Sequence, residues 1–137
     1  MRGLLVDSSV ILDVFVNDPI WAHWSQSMLD HYSESRSLFI NSIIYAEISI
    51  GFQYIEELEK AIIECGLQML PLPREALFLS GKAYIQYRKR KGYKSSPLPD
   101  FFIGAHAAVA NIDLLTRDVT RIKTYFPRVT IISPKNS

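Results

Sequence analysis

The chain has 137 residues, 48% of them apolar, with a formal net charge of +1. Those values exclude a disordered chain and argue neither for nor against a nucleic-acid partner, whose strongly basic signature is missing. The length fits a single domain over residues 1–137, and the one cysteine, Cys65, cannot close an internal disulfide, so a reducing compartment is expected.

The chain opens with "MRGLLVDSSVILD", whose apolar stretch is broken by Asp7 and lacks the cleavage site of a signal peptide. No stretch is apolar for long enough to span a bilayer, and the cytoplasm is the expected location. Leu4 to Val6 reads as a first buried strand, and "VDSS" as the start of a helix. Asp18-Pro19 opens another helix, from about Ile20 to Tyr32, because Asp accepts free backbone N–H groups and Pro suits the first helical turn. Leu38 to Ile40 is the second strand. Ser42 is expected to cap a helix bearing Ile43, Ile44, Ile48 and Phe52. Glu56 to Glu64 continues helical until Gly66 stops it.

Leu67 to Leu70 is the third strand, and Arg74 to Lys91 a long helix ended by Gly92. Pro99 starts an alanine-rich helix with Asp100 in its first turn, followed by strands at Leu114 to Thr116 and Val129 to Ile132. None of the five strands alternates cleanly with polar residues, as suits strands covered on both faces. Strands separated by helices predict right-handed crossovers and a three-layer α/β/α sandwich with a mainly parallel sheet of about five strands. Ligands in such sheets bind beyond the carboxyl ends of the strands.

Four carboxylates stand out. Asp7 and Asp118 follow directly on strands, and each could equally cap the helix after it. Glu47 shares a helical face with Ile44, Ile48 and Gly51, where a charge is costly unless paired or bound to metal. Asp100 heads a helix whose Ile103, Gly104, Ala107 and Ala108 face inward, so capping and site readings both stand. If the four converge, two carboxylates at about 4 Å repel by about 4 kcal/mol at an effective dielectric of 20, which a cation would relieve. Hard oxygen donors select Mg²⁺ or Mn²⁺, which can activate water for phosphodiester cleavage. The hydroxyls of Ser9 and Thr116 stand beside Asp7 and Asp118, suited to hold a carboxylate or a metal-bound water.

The segments "LLVDSSVILD", "NSIIYAEISIG", "LPDFFIGAHAAVAN" and "IDLLTRDVTRI" resemble, in order and spacing, the four motifs of PIN-domain ribonucleases. The resemblance is nearest to VapC-type toxins of toxin–antitoxin pairs and covers nearly the whole chain. It implies a metal-dependent endoribonuclease using Mg²⁺ or Mn²⁺ at Asp7, Glu47, Asp100 and Asp118, with Ser9 and Thr116 in support. It also implies an RNA substrate, a homodimer, and an antitoxin whose segment lies across the toxin near the site. Asp13 departs from the apolar helix usual after the first motif and reads as solvated or capping.

The basic run Arg88, Lys89 and Arg90 suits either a solvated helix end or attraction of RNA phosphates. Trp21, Trp24 and Met28 recur at helical spacing, as core residues do, and could also form a groove for an amphipathic partner. The scattered histidines, His23, His31 and His106, show no zinc pattern. A phosphoacceptor receiver domain would need an aspartate after the third strand, where this chain has "LPLPRE". A PIN-like fold kept as a non-catalytic RNA- or partner-binding module is the alternative.

Overall fold

The computed structural model describes residues 3–90 and 98–134. Its first strand, β1 (Leu4–Val6), is fully buried and runs parallel to β2 (Leu38–Ile40) on one side and β4 (Asp113–Leu115) on the other. β3 (Leu67–Met69) and β5 (Ile131–Ile132) form the two edges. The strand order is β3-β2-β1-β4-β5, and all pairings are parallel. The continuous apolar runs are explained by this arrangement. Leu4, Leu5, Val6, Leu114 and Leu115 are sealed on both faces, while edge strand β3 tolerates an exposed Gln68 and Met69.

Seven α-helices connect the strands among the described residues: α1 (Ser8–Phe15), α2 (Ala22–Ser33), α3 (Ser42–Ile48), α4 (Ile55–Glu64), α5 (Arg74–Lys89), α6 (Leu98–Ala110) and α7 (Thr120–Tyr125). The chain steps outward from β1 to β3, then crosses back to β4 and β5. Right-handed crossovers therefore place α1 to α4 on one face and α5 to α7 on the other. Packing follows that division, with α1 against α2 and α3, and α6 against α5 and α7. Gly104 lets α6 approach closely, since a Cβ there would lie 2.5 Å from the Phe126 ring. Gly66 ends the α4 region with φ +71°, a left-handed conformation that glycine adopts without strain.

The expected elements are present, with local corrections. Asn41, not Ser42, caps α3: its extended backbone lets Oδ1 accept the Ile44 N–H at 2.9 Å. The turn after Asp18 is held by Ile20 and Trp21 N–H groups donating to its Oδ2, so the regular helix starts only at Ala22. β4 begins one residue early, and Thr116 leaves it while its N–H still bonds the Ile132 carbonyl at 3.0 Å. The expected stop at Gly92 lies outside the described residues. No described helix is long and apolar enough to cross a membrane.

Candidate active site

The direction of the strand connections reverses between β1 and β4, so the crevice at their carboxyl ends is the place where a ligand fits a parallel sheet. Asp7 leaves β1 there. It is the N-cap of α1, and Oδ1 accepts the Ser8 N–H at 2.8 Å. Its other oxygen, Oδ2, accepts from Thr116 Oγ1 at 2.7 Å and Ser9 Oγ at 3.0 Å. Asp7 therefore caps a helix and faces the crevice at once. Thr116 in turn accepts the Asp118 N–H at 3.0 Å, tying the end of β4 to the end of β1.

Asp118 is exposed and does not cap α7, whose preceding residue Val119 makes no side-chain cap bond. Asp100 is the third residue of α6 rather than the one before it, and its Oδ2 accepts from Arg121 Nη1 at 2.6 Å. Glu47 projects from α3 half-buried, and Ser8 Oγ donates to its Oε1 at 2.7 Å. Ile44 and Ile48, on the same stripe, are fully buried, which explains how a charge comes to sit on an apolar face.

Burial pushes the Asp7 carboxyl above the usual carboxylate range; three donors partly oppose this, and the Asp100 charge adds to it. Glu47 is also raised, first by burial and then by the charges of Asp7 and Asp100, against the Ser8 bond. Asp100 is raised by burial and by Asp118, with Arg121 pulling the other way. Asp7, Glu47 and Asp100 thus lie within electrostatic reach of one another, and Asp118 within reach of Asp100. A carboxylate set that disfavours its own ionisation is the donor chemistry a hard divalent cation relieves. Among the described residues, no three such side chains are drawn tightly enough to hold an ion as they stand. Hydroxyls donate to Asp7 and Glu47, and the Arg121 guanidinium holds Asp100 Oδ2, the bond with which a cation at Asp100 would compete.

Several residues around this crevice were not legible in the sequence. Asp13, expected to be solvated or capping, is only 3% exposed. It accepts from Arg117 Nε at 2.8 Å, Arg117 Nη2 at 3.0 Å and Ser25 Oγ at 2.7 Å. A cation and a buried hydroxyl therefore replace the water expected around it. Arg117 also lies 5.1 Å from the centre of the Trp21 ring, clamping the Thr116–Asp118 segment onto α1 and the α2 entry. Trp24 and Met28 pack on the core, and Trp21 stands edge-on to Trp24. Asn41 Nδ2 and His106 Nδ1 lie 3.0 Å apart, joining the cap of the helix that bears Glu47 to the helix that bears Asp100. Burial lowers the His106 pKa, and a neutral imidazole accepts the Asn41 N–H. Ser8 and Arg121 carried no sequence signal beyond an ordinary polar residue near a motif.

The basic run divides. Arg88 and Lys89 end α5 exposed, with Arg88 Nη1 donating to Tyr84 Oη at 3.3 Å. Arg90 turns over the Tyr125 ring at 5.4 Å and lines a hollow with Asp118 and Arg121.

No curated protein sequence matches the chain significantly. Solved structures do. VapBC2 from Rickettsia felis bound to a promoter DNA fragment is similar at TM-score 0.70 and 17% identity, over 95% of this chain and 97% of that one. FitAcB from Neisseria gonorrhoeae is similar at TM-score 0.70 and 21% identity, over 98% and 99%. A toxin–antitoxin complex from Klebsiella pneumoniae is similar at TM-score 0.67 and 19% identity, over 96% and 98%. At these identities the likeness establishes the fold. The PIN domain family profile matches residues 4–126, nearly the whole of the sheet and all seven described helices, and on that match the chain belongs to the PIN domain family.

Proposed function

We propose that the protein, as one PIN-like domain over residues 1–137, is a metal-dependent endoribonuclease and the toxin of a toxin–antitoxin pair. The observation that carries this reading is the hydrogen-bond geometry that gathers the acidic residues: Ser8 Oγ lies on both Asp7 and Glu47, Thr116 joins Asp7 to the Asp118 backbone, and Arg121 holds Asp100. Those residues would hold Mg²⁺ or Mn²⁺, which when bound supplies Lewis-acid activation of water and charge stabilisation at the phosphate.

The chain's own residues prepare the site. Ser9 and Thr116 orient Asp7, and Ser8 orients Glu47, so neutral donors hold two of the carboxylates in place. Arg121 pairs with Asp100 and holds its carboxylate toward the cluster. Arg90, which shares a hollow with Asp118, and Arg88 and Lys89 just before it add positive charge for phosphates of the RNA. The toxin assignment is supported by the fold shared with a toxin–antitoxin complex. An antitoxin segment, a second copy of the chain and a cytoplasmic setting follow from the family resemblance. Exposed Ile50, Ile55 and Ile63 supply apolar surface for a protein partner.

Purified protein incubated with mixed RNAs should cleave in Mn²⁺ and stop in EDTA, and Asp7→Asn should be inactive in both. Cleavage that is equal with Mn²⁺ and EDTA sinks the metal-dependent reading. No cleavage of any RNA leaves the fold as a binding module.

A further inference from the structure

Beside the acidic cluster opens a hollow of about 330 Å³, lined by Tyr87, Arg90, Asp118, Thr120, Arg121 and Tyr125 among others. Two of its walls are layered. The Arg90 guanidinium lies 5.4 Å from the centre of the Tyr125 ring, and that of Arg121 lies 5.6 Å from the centre of Tyr87. Tyr125 and Tyr87 are braced edge-on against the buried Phe101, with centroids 5.2 Å and 5.7 Å away. The aromatic floor is therefore rigid, while exposed Arg90 can move.

Each feature narrows the occupant. Paired guanidinium groups disfavour an apolar peptide or helix face. The Asp118 carboxylate in the same hollow disfavours a simple anion held by charge alone. A ligand with a flat π face and one negative group satisfies both, because bases stack on aromatic rings and on guanidinium planes alike. Arg121 reaches both the hollow and the acidic cluster, since it also pairs with Asp100 at 2.6 Å.

We propose that this hollow is a subsite for one unstacked nucleotide of single-stranded RNA, its base on the Tyr125–Arg90 layer and its phosphate toward Arg121. The inference rests on the nuclease reading and specifies which part of the substrate is gripped next to the bond that is cut. Specificity for an unpaired nucleotide follows, because a base held in a duplex cannot leave its stack to enter.

The test uses short single-stranded RNAs carrying one abasic nucleotide at successive positions. Binding is measured by fluorescence anisotropy with Mn²⁺ present, in an Asp7→Asn background. One position should weaken binding by about five- to a hundredfold. The same position should cost little more in Arg90→Gln or Tyr125→Leu, because the contact is already missing there. Arg90 is exposed, so its variant keeps the proposal testable if Tyr125→Leu fails to fold. If every abasic position affects parent and variants equally, the subsite is overturned, even where the Asp7 protein cleaves RNA. Coupling at one position without any cleavage by the Asp7 protein supports the subsite and overturns the nuclease reading. Absence of RNA binding overturns the subsite, and the nuclease reading falls with it only where the Asp7 protein also fails to cleave.

Discussion

Replacing Arg121 with Gln separates a residue that merely stabilises the fold from one that stands in for a cation. Its Nη1 lies 2.6 Å from Asp100 Oδ2, and the two side chains are 28% and 32% exposed. Opposite charges at about 4 Å attract by about 1 kcal/mol in water and about 4 kcal/mol at an effective dielectric of 20. Partial solvation and the ordering of two side chains bring the net value to about 1–2 kcal/mol. Without Arg121, Asp100 is left facing Asp118, whose charge already raises its pKa. Metal-free Arg121→Gln should therefore melt lower than wild type by about 3–8 °C. A cation entering the cluster no longer competes with the guanidinium for Asp100, and about 1.4 kcal/mol of relief corresponds to a tenfold tighter Kd for Mn²⁺. Thermal melts across a Mn²⁺ series, with calorimetric titration of the metal, should show the variant's deficit shrinking as Mn²⁺ rises. An equal deficit at every Mn²⁺ concentration, with an unchanged Kd, would refute the reasoning and leave Arg121 as a structural ion pair.

Other outcomes follow from the same geometry. A carboxyl whose folded pKa lies above its unfolded value stabilises the fold below the unfolded pKa and loses that contribution as pH rises through the folded one. Asp7, raised from an ordinary value of 3.8, should make metal-free protein less stable as pH rises from about 4 toward neutrality. Asp7→Asn, which keeps the cap on Ser8, should flatten that slope in EDTA melts; an unchanged slope would exclude Asp7 as a source. Asp13→Ala leaves the Ser25 hydroxyl buried without its acceptor and Arg117 without its carboxylate. Because Arg117 is 29% exposed and can turn to water, urea denaturation should show a loss of about 2–4 kcal/mol. A loss within about 0.5 kcal/mol would return Asp13 to the solvated surface. Changing Arg88, Lys89 and Arg90 together to Gln should raise KM for RNA and flatten its salt dependence while kcat holds; an unmoved salt slope would make the run a solvated helix end.

The apolar runs at Leu4 and Leu114 determined where the central strands lie, because a segment sealed on both faces has no use for alternation. Alternation of those runs with helical periodicity was enough for a parallel three-layer sheet, and the position of Asp7 and Asp118 after strands was enough to put them at its carboxyl ends. Periodicity reports that a side chain is buried but not what stands opposite it. That was decided by the strand order, which sets β1 beside β4 and so brings Thr116 onto Asp7 across 109 positions of chain. The same holds for Asp13, a polar residue in a short helix whose neutralising Arg117 lies 104 positions away, and for Asn41 and His106, 65 positions apart. Local propensity, which made Ser42 as good a cap as Asn41, contains no information about such partners. A buried charge is stable only where the fold supplies its counterpart, and that counterpart exists only once the chain has closed on itself.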